Sequence, residues 1–349
     1  MPTLACRNNL TDPDSVANQI ALAKVLPVFQ AVILVRKFLR IVIAFSALAT
    51  VAQTASAAPP SYLVVDSQTG YVLVEKGARD KRQIGSLTKI ATACVVLDWA
   101  EKKGGDLNQL ATIPPLAFVG IEKNEVGFQP GDTLTLRDLL YAALVQSDNI
   151  AANTLAYQVG ETLESLVPAG PSSKITPIGA FVGQMNALAR QLKMDRTRFT
   201  NATGFDQKQR PMPYSCAIDL ARLTRYAMNK ASFRFYVSQR EREISFNRAG
   251  KQMRSLLRTT NDLLGQNGID GVKTGQTARA GECVVLSANR EAEIIKEGES
   301  AQIFPRHLIV VVLGSTDRFG DGERLVRQGW QAYDQWAAAG RLVDPKRRL

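Results

Sequence analysis

The alternation of apolar and polar positions places strands at both ends of the chain and helices between them. Residues 61–78, SYLVVDSQTGYVLVEKGA, read as two short strands around a turn at Ser67–Gly70. At Ser86 the period changes. Ile90, Ala91, Ala93, Cys94, Val95, Val96 and Leu97 cover nearly every face of a helix, which is therefore expected to be buried and to stop at Gly104-Gly105. Pro114-Pro115 and Pro130-Gly131 mark loops. TLTLRDLLYAALVQ is a second helix, with Thr135 capping its start and Asp138 as capping-box partner. It breaks at Ser147-Asp148-Asn149, and helicity resumes in IAANTLAYQV. PAGPSSKITPIG, residues 168–179, reads as a loop, with helices following at 180–193 and 219–228. NGIDGVKTGQTARAGECVVLSAN predicts a hairpin with strands near 269–274 and 282–288. LIVVVLG adds a strand, and a last helix spans roughly 321–338. This order predicts an α/β (α+β) domain whose antiparallel sheet joins the two ends of the chain, with the helices inserted between.

The buried helix poses a chemical question, because it carries Lys89 one turn after Ser86. A buried cation is costly unless it is paired or gives up its proton. At spacing i to i+3 the two side chains share one helical face. A serine needs a base before its oxygen can attack a carbonyl. A desolvated lysine, or one beside another cation, can be that base. The helix start also offers backbone N–H groups to a developing negative charge.

Composition and charge narrow the rest. Of 349 residues, 45% are apolar and 21% charged, which fits a globular protein. The net charge of +11 suits a polyanionic neighbour. No block of like charges or aromatic-basic interleaving supports a nucleic-acid partner, so none is expected, and an anionic cell envelope fits as well. Residues 1–58 are expected to direct export: Arg36, Lys37 and Arg40 precede the apolar run IVIAFSALATVA, and Ala55-Ser56-Ala57 suits cleavage. About 35 residues precede that basic cluster, long for a signal. A later start, or membrane attachment through residues 19–52, are the alternatives. Removing the leader leaves Cys94, Cys216 and Cys283, an odd number that makes a disulfide framework unsuitable; each is expected to be a small core residue. His307 is the only histidine, expected at a strand end, which excludes multi-histidine metal sites and argues against a Ser-His-Asp triad.

Two more motifs accompany Ser86-Leu87-Thr88-Lys89. Ser147-Asp148-Asn149 lies at a break between helices, where the hydroxyl can relay a proton and the amide can bond both the lysine and a substrate carbonyl. Lys273-Thr274-Gly275 lies on a strand, where lysine and hydroxyl can bind a carboxylate and glycine can let an extended ligand approach the backbone. Each alone is common in unrelated chains. In this order, each in a suitable setting, they point to one site.

SxxK, SDN and KTG are the signature of class A β-lactamases and penicillin-binding proteins. More locally the chain resembles the D-alanyl-D-alanine carboxypeptidases, the low-molecular-mass penicillin-binding serine peptidases. The resemblance runs through GSLTKIATA, LLYAALVQSDNIAANTLA, TRFTNATGFD, GVKTGQTARAGECVVLSA and LGSTDRFGDGERLVRQGW, roughly residues 60–335. It implies a β-lactamase/transpeptidase-like fold over 59–340, an antiparallel sheet flanked by helices with an inserted helical subdomain, followed by a basic tail at 341–349. It implies Ser86 as nucleophile, Lys89 as base, and Ser147 and Asn149 in proton relay and positioning. Lys273 and Thr274 would bind the terminal carboxylate, with Arg318 in STDRFGD as an additional carboxylate-binding arginine. The backbone N–H groups of Ser86 and Gln276 would form the oxyanion hole. The substrate implied is the peptidoglycan stem peptide, outside the cytoplasm in the periplasm or cell envelope. β-Lactam antibiotics would be covalent inhibitors, and no metal or organic cofactor is required.

Departures from the family pattern bear on specificity. Ala202-Thr203 stand where many relatives carry Pro-His, which is expected to alter one wall of the cleft. Residues 168–179 look like an insertion. A C-terminal β-rich domain and amphipathic membrane helix found in many members are expected to be absent, as in the family's endopeptidase branch. A D,D-endopeptidase cleaving cross-links is therefore the main alternative. A β-lactamase would need a deacylating glutamate; Glu161 and Glu164 in ETLESL lack a convincing loop context. A catalytically dead envelope-binding module would lack a motif residue, and none is missing.

Overall fold

The computed structural model describes residues 59–164, 176–206, 211–297 and 300–349. Five strands form the main sheet: β1 (Ser61–Asp66), β2 (Val72–Lys76), β7 (Ile269–Thr277), β8 (Gly281–Glu297) and β9 (Ser300–Ser315), in the order β2-β1-β9-β8-β7. Every pairing is antiparallel. β1 lies between its hairpin partner β2 and β9, so the sheet does join the two ends of the sequence. The middle of β9, LIVVVL, is buried on both faces, which is why it reads as an unbroken apolar run. Val285, Ile309 and Val311 join the larger core with the inserted helices, while Leu286, Leu308 and Val310 pack with Leu325, Trp330 and Tyr333 of the closing helix α7 (Arg318–Ala338).

The inserted helices are α1 (Thr88–Lys103), α2 (Leu136–Leu144), α3 (Asn149–Glu164), α4 (Pro177–Gln191), α5 (Ala217–Met228) and the short α6 (Ala231–Val237). The helix expected from Ser86 begins instead with a 3-10 turn over Gly85–Leu87, and α1 proper starts at Thr88. It is buried almost throughout and ends at Gly104, in the left-handed conformation with φ 69°. Thr135 caps α2 by accepting the Asp138 N–H at 3.0 Å. The stretch expected as a loop to Gly179 turns helical at Pro177, because Thr176 caps Gly179 N–H at 3.1 Å and proline suits the first turn. The rest of that expected insertion, 168–175, lies outside the described residues, as do the leader and Cys6.

A second sheet, in the order β3-β4-β5-β6, combines β3 (Leu110–Thr112), β4 (Thr133–Thr135), β5 (Glu241–Arg248) and β6 (Lys251–Arg258). The hydrophobic pattern does not predict the β5–β6 hairpin, whose residues are mostly polar and more than half exposed. The β8–β9 hairpin also runs further than its apolar core, through Arg290–Arg306 and Ile294–Ile303 pairs. His307 therefore sits within a strand, not at its end, and pairs with Ser287 Oγ at 2.6 Å. Residues 341–349 fold back on the β1–β2 turn, where Leu349 N–H bonds Gly70 O at 3.0 Å. Among the described residues no helix is long and apolar enough to cross a membrane.

Candidate active site

Three backbone segments converge on Ser86. The 3-10 turn presents it, with Gly85 at φ 53° just before. Gly275 on β7 packs against that turn; a Cβ there would lie 2.6 Å from Ile84 O and 3.1 Å from Leu87 N. Gly204 packs from the other side, where a Cβ would lie 1.8 Å from Gly85 O. Gly275 was expected to give a ligand room. It lines the cleft, but the contact that requires glycine is with the chain's own Gly85–Leu87 turn.

Lys89 is fully buried beneath this turn. Its Nζ lies 3.0 Å from Ser86 Oγ, 2.7 Å from Asn149 Oδ1 and 3.1 Å from Thr203 O. The amide oxygen and the carbonyl can only accept. A neutral amine has two protons and one lone pair, so its protons satisfy Asn149 and Thr203 and its lone pair faces the Ser86 hydroxyl. Burial pushes its pKa down to about 7, against the opposing pull of Asp148. Lys89 is thus neutral for much of the time near neutrality, and the geometry of the neutral form is that of a base.

The SDN segment separates α2 from α3. Ser147 takes φ 66°, a left-handed conformation uncommon outside glycine, and faces the cleft. Asp148 is buried and caps α3 by accepting the Ala151 N–H at 2.7 Å, while burial raises its pKa. This cap starts α3 at Asn149 and so sets the amide that meets Lys89.

Lys273 is the second buried amine. Its Nζ donates to Thr274 O at 3.0 Å, and burial, then Lys89 and Arg318, hold its pKa well below the usual lysine range. Arg318 opens α7, donates to Gln276 Oε1 at 3.2 Å and faces the cleft. Arg318 thus brings a guanidinium to the cleft near Ser86, and a cation there favours an anionic ligand.

The cleft has a volume of about 880 Å³. Ser86, Ser147, Asn149, Thr274, Gly275, Gln276 and Arg318 line it; Lys89 and Lys273 lie buried beneath. The structure thus gathers all nine residues singled out from the sequence in or directly beneath one cleft. The motifs did not reveal several further contributors. Thr203 supplies its carbonyl to Lys89, held by Asn201 Oδ1, which accepts the N–H of Thr203 and of Gly204. A backbone carbonyl leaves no residue-type signal. Thr203 was expected in a cleft wall; it is buried against Lys89 instead. Thr260 bonds Thr274, and Asp206 and Arg279 also line the cleft. Glu161, one of the two glutamates weighed for deacylation, is exposed on α3, accepts from Gln158 and is not among the cleft-lining residues; the side chain of the other, Glu164, lies outside the described part of the structure. Among the described residues no three His, Cys, Asp or Glu side chains gather to hold a metal ion. Cys94, Cys216 and Cys283 are buried and unbridged.

Antiparallel sheet, inserted helices and this serine-lysine pair define a β-lactamase/transpeptidase-like protein. A family model described as D-alanyl-D-alanine carboxypeptidase matches residues 48–296, and the chain belongs to that family. It is 30% identical over 282 residues to D-alanyl-D-alanine carboxypeptidase DacC of Escherichia coli K12, covering 78% of this chain and 62% of the relative. The chain thus spans less than two thirds of that relative's length. It is 29% identical over 300 residues to D-alanyl-D-alanine endopeptidase of Pseudomonas aeruginosa, covering 80% of this chain and 84% of the relative. Among solved structures, the Streptomyces K15 DD-transpeptidase superposes with a TM-score of 0.65 at 27% identity, over 78% of this chain and 97% of that one.

Proposed function

We propose that this protein is a serine-type D-Ala-D-Ala carboxypeptidase that trims peptidoglycan stem peptides outside the cytoplasm, exported by residues 1–58. The observation that carries this reading is the fully buried Lys89 amine with its Nζ 3.0 Å from Ser86 Oγ and its other contacts made to two acceptors, Asn149 Oδ1 and Thr203 O. Lys89 takes the Ser86 proton as Oγ attacks the carbonyl between the two D-alanines. The backbone N–H groups of Ser86 and Gln276 receive the developing oxyanion. The tetrahedral intermediate collapses to an acyl-enzyme on Ser86, and the proton returns through Ser147 to the departing amine. Water, deprotonated by the same lysine, then releases the shortened peptide. Thr274, Lys273 and Arg318 hold the terminal carboxylate.

A penicillin carries a strained amide and a carboxylate in the same relation, so it acylates Ser86. The test is labelling with a fluorescent penicillin. Wild-type protein should label covalently and Ser86→Ala should not, with both equally folded by circular dichroism. Folded wild-type protein that stays unlabelled would sink the reading.

A second reading is supported by the match over 84% of the Pseudomonas aeruginosa endopeptidase. The same site would cleave a cross-link with a longer leaving group. Incubation with a monomeric pentapeptide and a cross-linked dimer separates the two, and release of D-alanine from the monomer as the faster reaction supports the carboxypeptidase.

A further inference from the structure

Thr260 belongs to none of the three motifs, yet its Oγ1 lies 2.7 Å from Thr274 Oγ1 and both residues line the cleft. We infer that Thr260 is a positioning residue: it donates its hydroxyl proton to Thr274 and so commits the Thr274 proton to the terminal carboxylate of the substrate. This rests on the carboxypeptidase reading and names the group that sets its preference for a free C-terminus.

Thr260 is held from both walls of the cleft. Its backbone N–H bonds Val145 O at 3.2 Å, two residues before Ser147. The next residue, Asn261, donates its side-chain amide to Gly271 O on β7 at 3.2 Å, while its own N–H bonds Thr259 Oγ1 at 3.2 Å. The Thr260 side chain is thereby set against Thr274, its hydroxyl partner among the described residues.

A hydroxyl has one proton and two lone pairs. In the pair, either oxygen can donate. A carboxylate only accepts, so a bound free C-terminus requires the Thr274 proton. Thr274 then needs a donor of its own, and Thr260 supplies it. The resulting relay, Thr260 to Thr274 to carboxylate, points every O–H the same way, which strengthens each bond. Lys273 and Arg318 attract negative charge from any direction. The threonine pair adds a directional demand: a C-terminal amide can donate its own N–H, reverse the relay and do without Thr260.

The experiment measures kcat and KM on two peptides ending in D-Ala-D-Ala, one a free acid and one a terminal amide, for wild type, Thr260→Val and Thr260→Ser. Wild type should prefer the acid. Thr260→Val should raise KM for the acid about three- to tenfold, the effect of one hydrogen bond, leave kcat within about twofold, and leave the amide nearly unchanged. Thr260→Ser should restore the wild-type ratio. Thr260→Ala reads the same ratio if valine disturbs folding. Equal losses on both peptides, an unchanged acid-to-amide ratio, or a serine variant that behaves like valine would overturn the role of Thr260 and leave the activity standing. A wild type without preference for the acid overturns it as well. A wild type that cleaves neither peptide overturns the carboxypeptidase reading and this inference with it.

Discussion

Asn149 Oδ1 and Thr203 O accept two N–H hydrogen bonds from the Lys89 amine, and this leaves the third contact, to Ser86, as the only one that can run toward nitrogen. The pH dependence follows. The base form exists above the Lys89 pKa of about 7, so kcat/KM should fall as pH drops through 7, tenfold per unit below it. A profile flat from pH 6 to 8 would remove Lys89 as base. Asn149→Asp should move that limb up by about one to three units, because a carboxylate 2.7 Å from Nζ favours the ammonium form. Lys89→Ala should lower acylation by penicillin about as far as Ser86→Ala while the fold survives. At this scale the sequence was informative where residue type carries the chemistry: Ser86, Lys89, Lys273. It was silent on Thr203, which acts through a carbonyl every residue has, and on Thr260, an ordinary hydroxyl just past an unrecognised strand.

Among elements, the strand-helix contact around the nucleophile is the one on which the site depends. β7 meets the Gly85–Leu87 turn through Gly275, and residues 203–204 close the other side through Gly204. Gly275→Ala puts a methyl 2.6 Å from Ile84 O, so the turn must retreat from β7. Penicillin acylation should then fall about 100-fold or more, since small misplacements of reacting groups have that scale of effect, with the melting temperature lowered only modestly. Retention of near-normal acylation would show that the turn does not need that contact. The elements that positional pattern reveals are those with one consistent period: the β1–β2 hairpin, α1, α2 and the core of β7–β9. The β5–β6 hairpin escapes because its charges are on show: Arg254 pairs with Glu243 and Arg258 with Glu241 on exposed surface. The start of α4 escapes because its cap, Thr176, sits among residues that also read as loop.

Across the whole molecule, the sheet is assembled from the first and last strands, so its stability depends on how the end of the chain is fixed. Residues 341–349 supply several ties, four of them at or beside the β1–β2 turn and the end of α7. Leu349 N–H bonds Gly70 O, Arg348 Nε bonds Thr69 O at 3.0 Å, Arg347 lies over the Tyr71 ring at 5.2 Å, and Leu342 O accepts the Trp336 indole N–H at 2.8 Å. Tyr71 and Trp336 stack at 4.9 Å, joining the β1–β2 turn to α7 across this docked segment. None of the nine residues is in the cleft lining. Ending the chain at Gly340 should therefore separate stability from chemistry. Two or three net hydrogen bonds at about 1 kcal/mol each set a loss of about 2–3 kcal/mol, or roughly 4–8 °C in melting temperature for a domain of this size. Penicillin acylation at 25 °C should stay within about twofold of the full chain, because Ser86, Lys89 and β7 keep their contacts. A truncated protein that melts normally would show the docked tail to be energetically idle. One that stays folded but no longer acylates would mean that the last nine residues reach the site through the sheet, and the independence argued from the cleft lining would be wrong.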